Sequence, residues 1–209
     1  LAKERGACLH SEKTRYGQGT FPWELRANGV NELANFAPEL DWETLRSDMK
    51  QYGVRNATLM AIAPVESSSV VINSTNGIEP PRSYVSVKQS KHGVLKQVVP
   101  GIHKLKNKYE LLWDQKSPEG YLKIVAVLQK YIDQGISVNT SYNPIFFEDE
   151  KIPMSVMLQH MILFYKLSGK QLYYFNTNDG QGEIDVSKLI VDELEPVLSE
   201  DEACESCTI

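Results

Sequence analysis

The sequence predicts an α/β fold with parallel strands, and three observations carry that prediction. One order of signals, helix then glycine then strand, occurs three times in 209 residues. The strands are largely apolar, with continuous runs such as ATLMAIA from Ala57 to Ala63, as expected where a parallel sheet is buried on both faces. Helices alternate with strands instead of strands following strands.

The first repeat opens at Asp41, a helix N-cap in front of WETLRSDMKQYG, in which Trp42, Leu45, Met49 and Tyr52 recur at helical spacing. Gly53 ends that helix, and VRNATLMAIA reads as a buried strand. In the second repeat Ser117 and Pro118 form a cap and first turn for PEGYLKIVAVLQKYIDQ. Gly135 stops it, and ISVNTSY follows as a strand. In the third, Pro153 opens MSVMLQHMILFYKLS, Gly169 stops it, and KQLYYFNT is the strand. Glycine is the expected terminator because it enters the left-handed conformation without steric cost. Only three or four strands are visible, too few to seal a parallel sheet alone, so residues 1–185 read as part of a larger sheet or barrel. Leu1 stands where an initiating Met is expected, which agrees with a chain that is the later part of a longer polypeptide.

Residues 186–209 read differently. From Val191 to Ile209 there is no Lys or Arg among many Asp and Glu, a composition that repels itself and buries too little apolar surface to offset ordering entropy. This segment is expected to be a disordered acidic tail, and it ends in Cys204-Glu-Ser-Cys207. The whole chain is 42% hydrophobic and 23% charged with a net charge of −5. That balance is ordinary for a globular protein and argues against a nucleic-acid groove. No run approaches a membrane span and no leader is visible. Three cysteines, Cys8, Cys204 and Cys207, are too few for a secreted disulfide scaffold, which points to a reducing, cytoplasmic compartment.

Four features are candidates for chemistry. Two thiols at Cys204 and Cys207 can close into a disulfide. Their acidic neighbours, Glu200, Asp201, Glu202 and Glu205, disfavour a thiolate, so the pair suits an electron shuttle on an arm more than a first-strike nucleophile. The alternative is half of a zinc site, for which Cys8 and His10 are the only further candidates. Pro64, Val65, Glu66, Ser67 and Ser68 lie where a strand leads into a helix, and free N–H groups with serine hydroxyls there suit a phosphate. Glu66 opposes that use, and a plain Ser-capped helix is the alternative. The sequence STNGIEPP that follows marks a rigid turn. Tyr173 and Tyr174 are adjacent on a strand, where successive side chains point to opposite faces. One ring in the core and one elsewhere would satisfy strand packing alone. His160 reads as a satisfied core or surface histidine. No nucleophile triad, P-loop or dinucleotide fingerprint is present.

Taken in order, ESSSVVINSTNGIEPPRSYVSVK, VNTSYNP, LYYFNT and an acidic tail ending in paired cysteines resemble the C-terminal part of the large (α) subunit of class I, aerobic ribonucleoside-diphosphate reductase. The resemblance runs from Gly6 to Ile209, and TNGIEPPR and LYY-x-NT are its most specific segments. It implies the C-terminal portion of a ten-stranded α/β barrel, incomplete alone. It implies that Tyr173 and Tyr174 pass a radical, made at a metal cofactor in a separate small (β) subunit, toward a cysteine that this sequence lacks. It assigns Pro64, Val65, Glu66, Ser67 and Ser68 to the substrate diphosphate. Cys204 and Cys207 would reduce an active-site disulfide and be recharged by thioredoxin or glutaredoxin. Their spacing is shorter than the commonest bacterial arrangement, which bears on the reduction potential. Cys8 matches a family cysteine outside the chemistry and is expected to be small and buried.

The radical-bearing cysteine, its asparagine and glutamate neighbours, the reducible cysteine pair and the allosteric sites are all expected N-terminal to this segment. The resemblance therefore implies a fragment or split-gene product that binds no cofactor of its own. It would act with an N-terminal portion of the large subunit, the small subunit and a ribonucleoside diphosphate. The rivals are a non-catalytic interaction module and an autonomous thiol–disulfide carrier.

Overall fold

The computed structural model describes residues 1–25, 28–34, 39–90 and 93–180. Seven α-helices occur among them: α1 (Ala2–Arg5), α2 (Asn28–Leu33), α3 (Trp42–Tyr52), α4 (Glu66–Val71), α5 (Ile102–Leu105), α6 (Glu119–Gln129) and α7 (Met154–Lys166). The strands are β1 (Val85–Ser90), β2 (Gly93–Val98), β3 (Thr140–Tyr142) and β4 (Phe175–Thr177). The expected tail at 186–209, with Cys204 and Cys207, lies outside the described residues.

Local signals place the helices well. The Asp41 carboxylate accepts the Thr44 N–H at 3.0 Å, satisfying one donor of the first turn of α3. Gly53 closes that helix at φ 71°, a conformation that favours glycine. The Ser117 hydroxyl accepts the Glu119 N–H at 3.2 Å at the start of α6.

Two expected glycine stops are corrected. Helix α6 ends at Gln129, well before Gly135. Beyond α7 the left-handed residue is Ser168, at φ 61°. Gly169 serves close approach instead, since a Cβ there would lie 2.3 Å from the Phe164 ring.

The core forms where α6 lies on the parallel strands between α2 and α7. Tyr121, Leu122, Val125 and Ala126 form the buried stripe of α6. They pack with Ile136 and Val138 of the central strand, Phe164 and Leu167 from α7 and its end, and Val30 of α2. The stretch Ile136–Tyr142 is paired on both edges. Ile62 bridges to Ile136 in parallel on one side, and Thr140, Ser141 and Tyr142 pair with Phe175, Asn176 and Thr177 in parallel on the other. Among the described residues the strands do not close into a barrel.

Two further differences from expectation have physical causes. The run Ala57–Ala63 is not buried: Leu59 and Met60 are 61% and 51% exposed. It is the outer strand, hydrogen-bonded on one edge through Met60 and Ile62, and of its side chains Ile62 packs against the core. Val85–Ser90 and Gly93–Val98, which the repeat pattern leaves unassigned, pair as antiparallel strands. No helix among the described residues is long and apolar enough to cross a membrane.

A second apolar centre joins the N-terminal segments to α3. Phe21 stacks on Trp23 at 4.6 Å, and Trp42 meets both rings edge-on. Arg46 lies over Phe21 and pairs with Glu24 at 2.6 Å.

Leu122 is fully buried at the centre of the main core. Leu122→Ala is expected to lower the unfolding free energy by about 2–5 kcal/mol, the cost of a core leucine truncation. Urea unfolding followed by circular dichroism measures this, and an unchanged midpoint would contradict the assigned core.

Candidate functional site

Four segments that are distant in sequence meet around Asn139 on the central strand. On one edge Ile62 bridges to Ile136, and the chain runs on from there through Pro64 and Val65. On the opposite edge, the Tyr173 N–H donates to the Val138 carbonyl at 2.7 Å, and the Thr140 N–H donates to the Tyr174 carbonyl at 2.9 Å. The Asn139 side chain accepts the Tyr174 N–H at 3.1 Å and donates to the Glu79 carboxylate. Glu79 arrives on the turn Thr75–Pro81, which is tied to the first loop by the Val65 N–H donating to the Asn76 carbonyl at 2.8 Å.

The phenols of Tyr173 and Tyr174 converge. Their ring centroids are 4.1 Å apart at an interplanar angle of 50°, and the Tyr174 hydroxyl donates to the Tyr173 hydroxyl at 3.2 Å. That distance is long for an O–H···O bond. Both rings are about half exposed, at 50% and 55%, so neither is a core residue. The alternative of plain strand packing, with one ring in the core and one outside, does not describe the pair: both rings are exposed and lie together. The Tyr174 phenol is held above its ordinary value, first by its hydrogen bond to Tyr173 and the charge ionised Tyr173 would carry, and also by the nearby Glu66 carboxylate.

The serine segment forms the short helix α4. Pro64, Val65, Glu66, Ser67 and Ser68 are all exposed. Ser69 is fully buried and its hydroxyl donates to the Glu66 carbonyl at 3.0 Å. Glu66, Ser67 and Ser68 make up the first turn, where N–H groups have no intrahelical acceptor.

His160 has two partners, as expected of a satisfied histidine. Nδ1 lies 3.1 Å from the Tyr142 hydroxyl and Nε2 lies 3.1 Å from the Ser117 hydroxyl. The ring thus ties α7 to the central strand and to the start of α6. Cys8 is half-buried, not buried. Among the described residues no group of three or more His, Cys, Asp or Glu could hold a metal ion.

Sequence reasoning named the tyrosines and the serine loop but missed Asn139 and Glu79. The available signal for Asn139 was a polar residue between Val138 and Thr140, both fully buried. Glu79 sat inside a segment marked only as a turn.

Residues 1–111 match the family model described as ribonucleotide reductase, barrel domain. The chain is 48% identical over 184 residues to the ribonucleoside-diphosphate reductase subunit alpha of Haemophilus influenzae, covering 88% of this chain and 24% of that protein. It is 45% identical over 206 residues to the Escherichia coli ribonucleoside-diphosphate reductase 1 subunit alpha, covering 99% of this chain and 26% of that one. With the subunit alpha of Enterobacteria phage T4 it shares 42% over 187 residues, covering 88% and 25%. The chain spans about a quarter of the length of these curated relatives.

Burial holds the His160 imidazolium below its ordinary value of 6.5, partly offset by Glu119. A base depressed in the folded state takes up its proton more readily when unfolded, so stability falls as pH drops below 6.5. Thermal melting across pH 4.5 to 7.5 is expected to show that loss, and His160→Gln is expected to remove this part of it. An unchanged slope in the variant would contradict the assignment.

Proposed function

The chain belongs to the ribonucleotide reductase family, and from that premise we propose that it works as the C-terminal portion of the large subunit of a ribonucleoside-diphosphate reductase. The observation that carries the proposal is the convergence of two exposed phenols beside a loop suited to a diphosphate.

A phenoxyl radical on one tyrosine takes an electron and a proton from the other phenol. One O–H bond breaks, another forms, and the radical has moved one ring onward. The 3.2 Å separation of the hydroxyls supports that exchange, because the proton crosses only a hydrogen bond. A phenol keeps its proton at neutral pH, so an electron leaving Tyr174 is accompanied by that proton. In this reading the radical arises on a metal cofactor of the small subunit and is delivered to a cysteine in the N-terminal portion of the large subunit.

The exposed Ser67 and Ser68 hydroxyls and the first-turn N–H groups of α4 would take the substrate diphosphate, with Pro64 and Val65 shaping the approach. Glu66 belongs to the same loop and would serve it with its carboxylate turned away from the phosphate. Cys204 and Cys207 would deliver two electrons to the disulfide left by each turnover and be recharged by thioredoxin or glutaredoxin in the cytoplasm. The exposed apolar edge at Leu59 and Met60 supports completion of the barrel by the N-terminal portion.

Tyr173→Phe and Tyr174→Phe are each expected to lower turnover of the reconstituted enzyme by about a hundredfold or more, a barrier change of only ~3 kcal/mol. Assembly, followed by sedimentation, should not change. Full activity in either variant would remove the relay role. Replacing Cys204 and Cys207 by Ser should stop thioredoxin-driven cycles while a small dithiol still supports turnover. Failure of the small dithiol to rescue would contradict a purely electron-delivering tail.

A further inference from the structure

The convergence of two neighbouring side chains on a strand requires a cause, since a regular strand sends them to opposite faces. The hydrogen bonds around Asn139 supply one. In an unbroken parallel ladder a single residue of the outer strand donates to the carbonyl before its partner and accepts from the N–H after it. Opposite Asn139 two residues divide that work. Tyr173 donates to the Val138 carbonyl at 2.7 Å, and Tyr174 accepts from the Thr140 N–H at 2.9 Å. Two residues facing one is a β-bulge, which bends the strand and re-aims its side chains.

A bulge leaves one N–H without a place in the ladder. Here it is the N–H of Tyr174, and the Asn139 Oδ1 accepts it at 3.1 Å. An N–H only donates, so the atom facing it is the amide oxygen, and the Asn139 Nδ2 is turned toward Glu79, to which it donates. With both ends of the amide occupied, its orientation is fixed. Glu79 is itself set by the turn Thr75–Pro81, so the anchor comes from outside the sheet.

We infer that Asn139, held by Glu79, is the positioning residue that makes the tyrosine pair: it captures the N–H displaced by the bulge and so keeps both phenols on one side of the strand. Without an acceptor there, the Tyr174 N–H returns to the ladder, the bulge is lost, and the rings separate to opposite faces. The inference takes its functional meaning from the relay proposed above, but its geometric content stands without it.

The test reads geometry and turnover separately. In the full chain, 3-fluorotyrosine replaces Tyr174, and its ¹⁹F resonance is titrated with and without Tyr173→Phe. In the parent chain Tyr173→Phe is expected to lower the titration midpoint, because the phenol at 174 loses its partner. In Asn139→Leu that effect of Tyr173→Phe should vanish, and it should weaken in Asn139→Asp, whose carboxylate faces Glu79. Combining Asn139→Asp with Glu79→Gln restores a donor–acceptor pair and should restore the effect, which separates positioning from a general loss of fold. In the reconstituted complex, Asn139→Asp should lower kcat by about tenfold, the population change of one lost hydrogen bond, at unchanged KM. The double variant should recover to within about threefold of the parent, a residue of well under one hydrogen bond. An undiminished Tyr173 effect in Asn139→Leu, or no recovery in the double variant, would overturn the inference. Loss of the effect with turnover intact would uphold the positioning role and count against the relay.

Discussion

The structure depends on the stretch Ile136–Tyr142. It is paired on both edges, covered by α6, and contains five of the buried positions: Ile136, Val138, Thr140, Ser141 and Tyr142. Register against this strand places the serine loop and the tyrosine pair. The serine loop is where it is because Ile62 pairs with Ile136, and the tyrosines are where they are because β4 pairs with Thr140–Tyr142. Because the strand is fixed by burial on its α6 side, the polar residues at its other contacts are free to do chemistry or to aim neighbours.

The apolar surface divides into what the chain covers and what it leaves open. Phe164 faces the core from α7, while Met154, Leu158, Met161, Ile162 and Tyr165 of the same helix are exposed. Positions separated by three and four residues make one stripe, so α7 carries an exposed apolar side. Leu59, Met60, Val71 and Ile72 are exposed near the serine loop. Parallel strands are ordinarily covered on both faces. Surfaces of this kind accord with a chain that does its work inside a larger assembly, as the proposed function requires.

Much of the helical framework was legible in the sequence because its determinants are local. Asp41 caps α3 through a bond to Thr44, Pro153 precedes α7, and the buried stripe of α6 follows helical spacing. The central strand was legible as ISVNTSY, a β-prone segment that follows a helix and a glycine. The role of Gly169 was not, since close approach of the Phe164 ring leaves the same letter as a helix stop. The burial of Ala57–Ala63 was misjudged because apolar composition reports what a segment prefers, not whether a neighbour is present. The tyrosine geometry was the least legible part. Alternation is a rule for regular strands, and the bulge that breaks it is held by Asn139, 35 residues away. Asn139 is held in turn by Glu79, a further 60 residues away.

The central claim, that two converging phenols carry a radical through this chain, is most directly tested by trapping that radical. In the complex reconstituted with an N-terminal portion and a small subunit, a tyrosine analogue of lower reduction potential replaces Tyr173 in one preparation and Tyr174 in another. Electron paramagnetic resonance after substrate addition is predicted to show the unpaired spin on the analogue in both preparations. Spin that never appears on either analogue, in a complex that still turns over, would contradict the account.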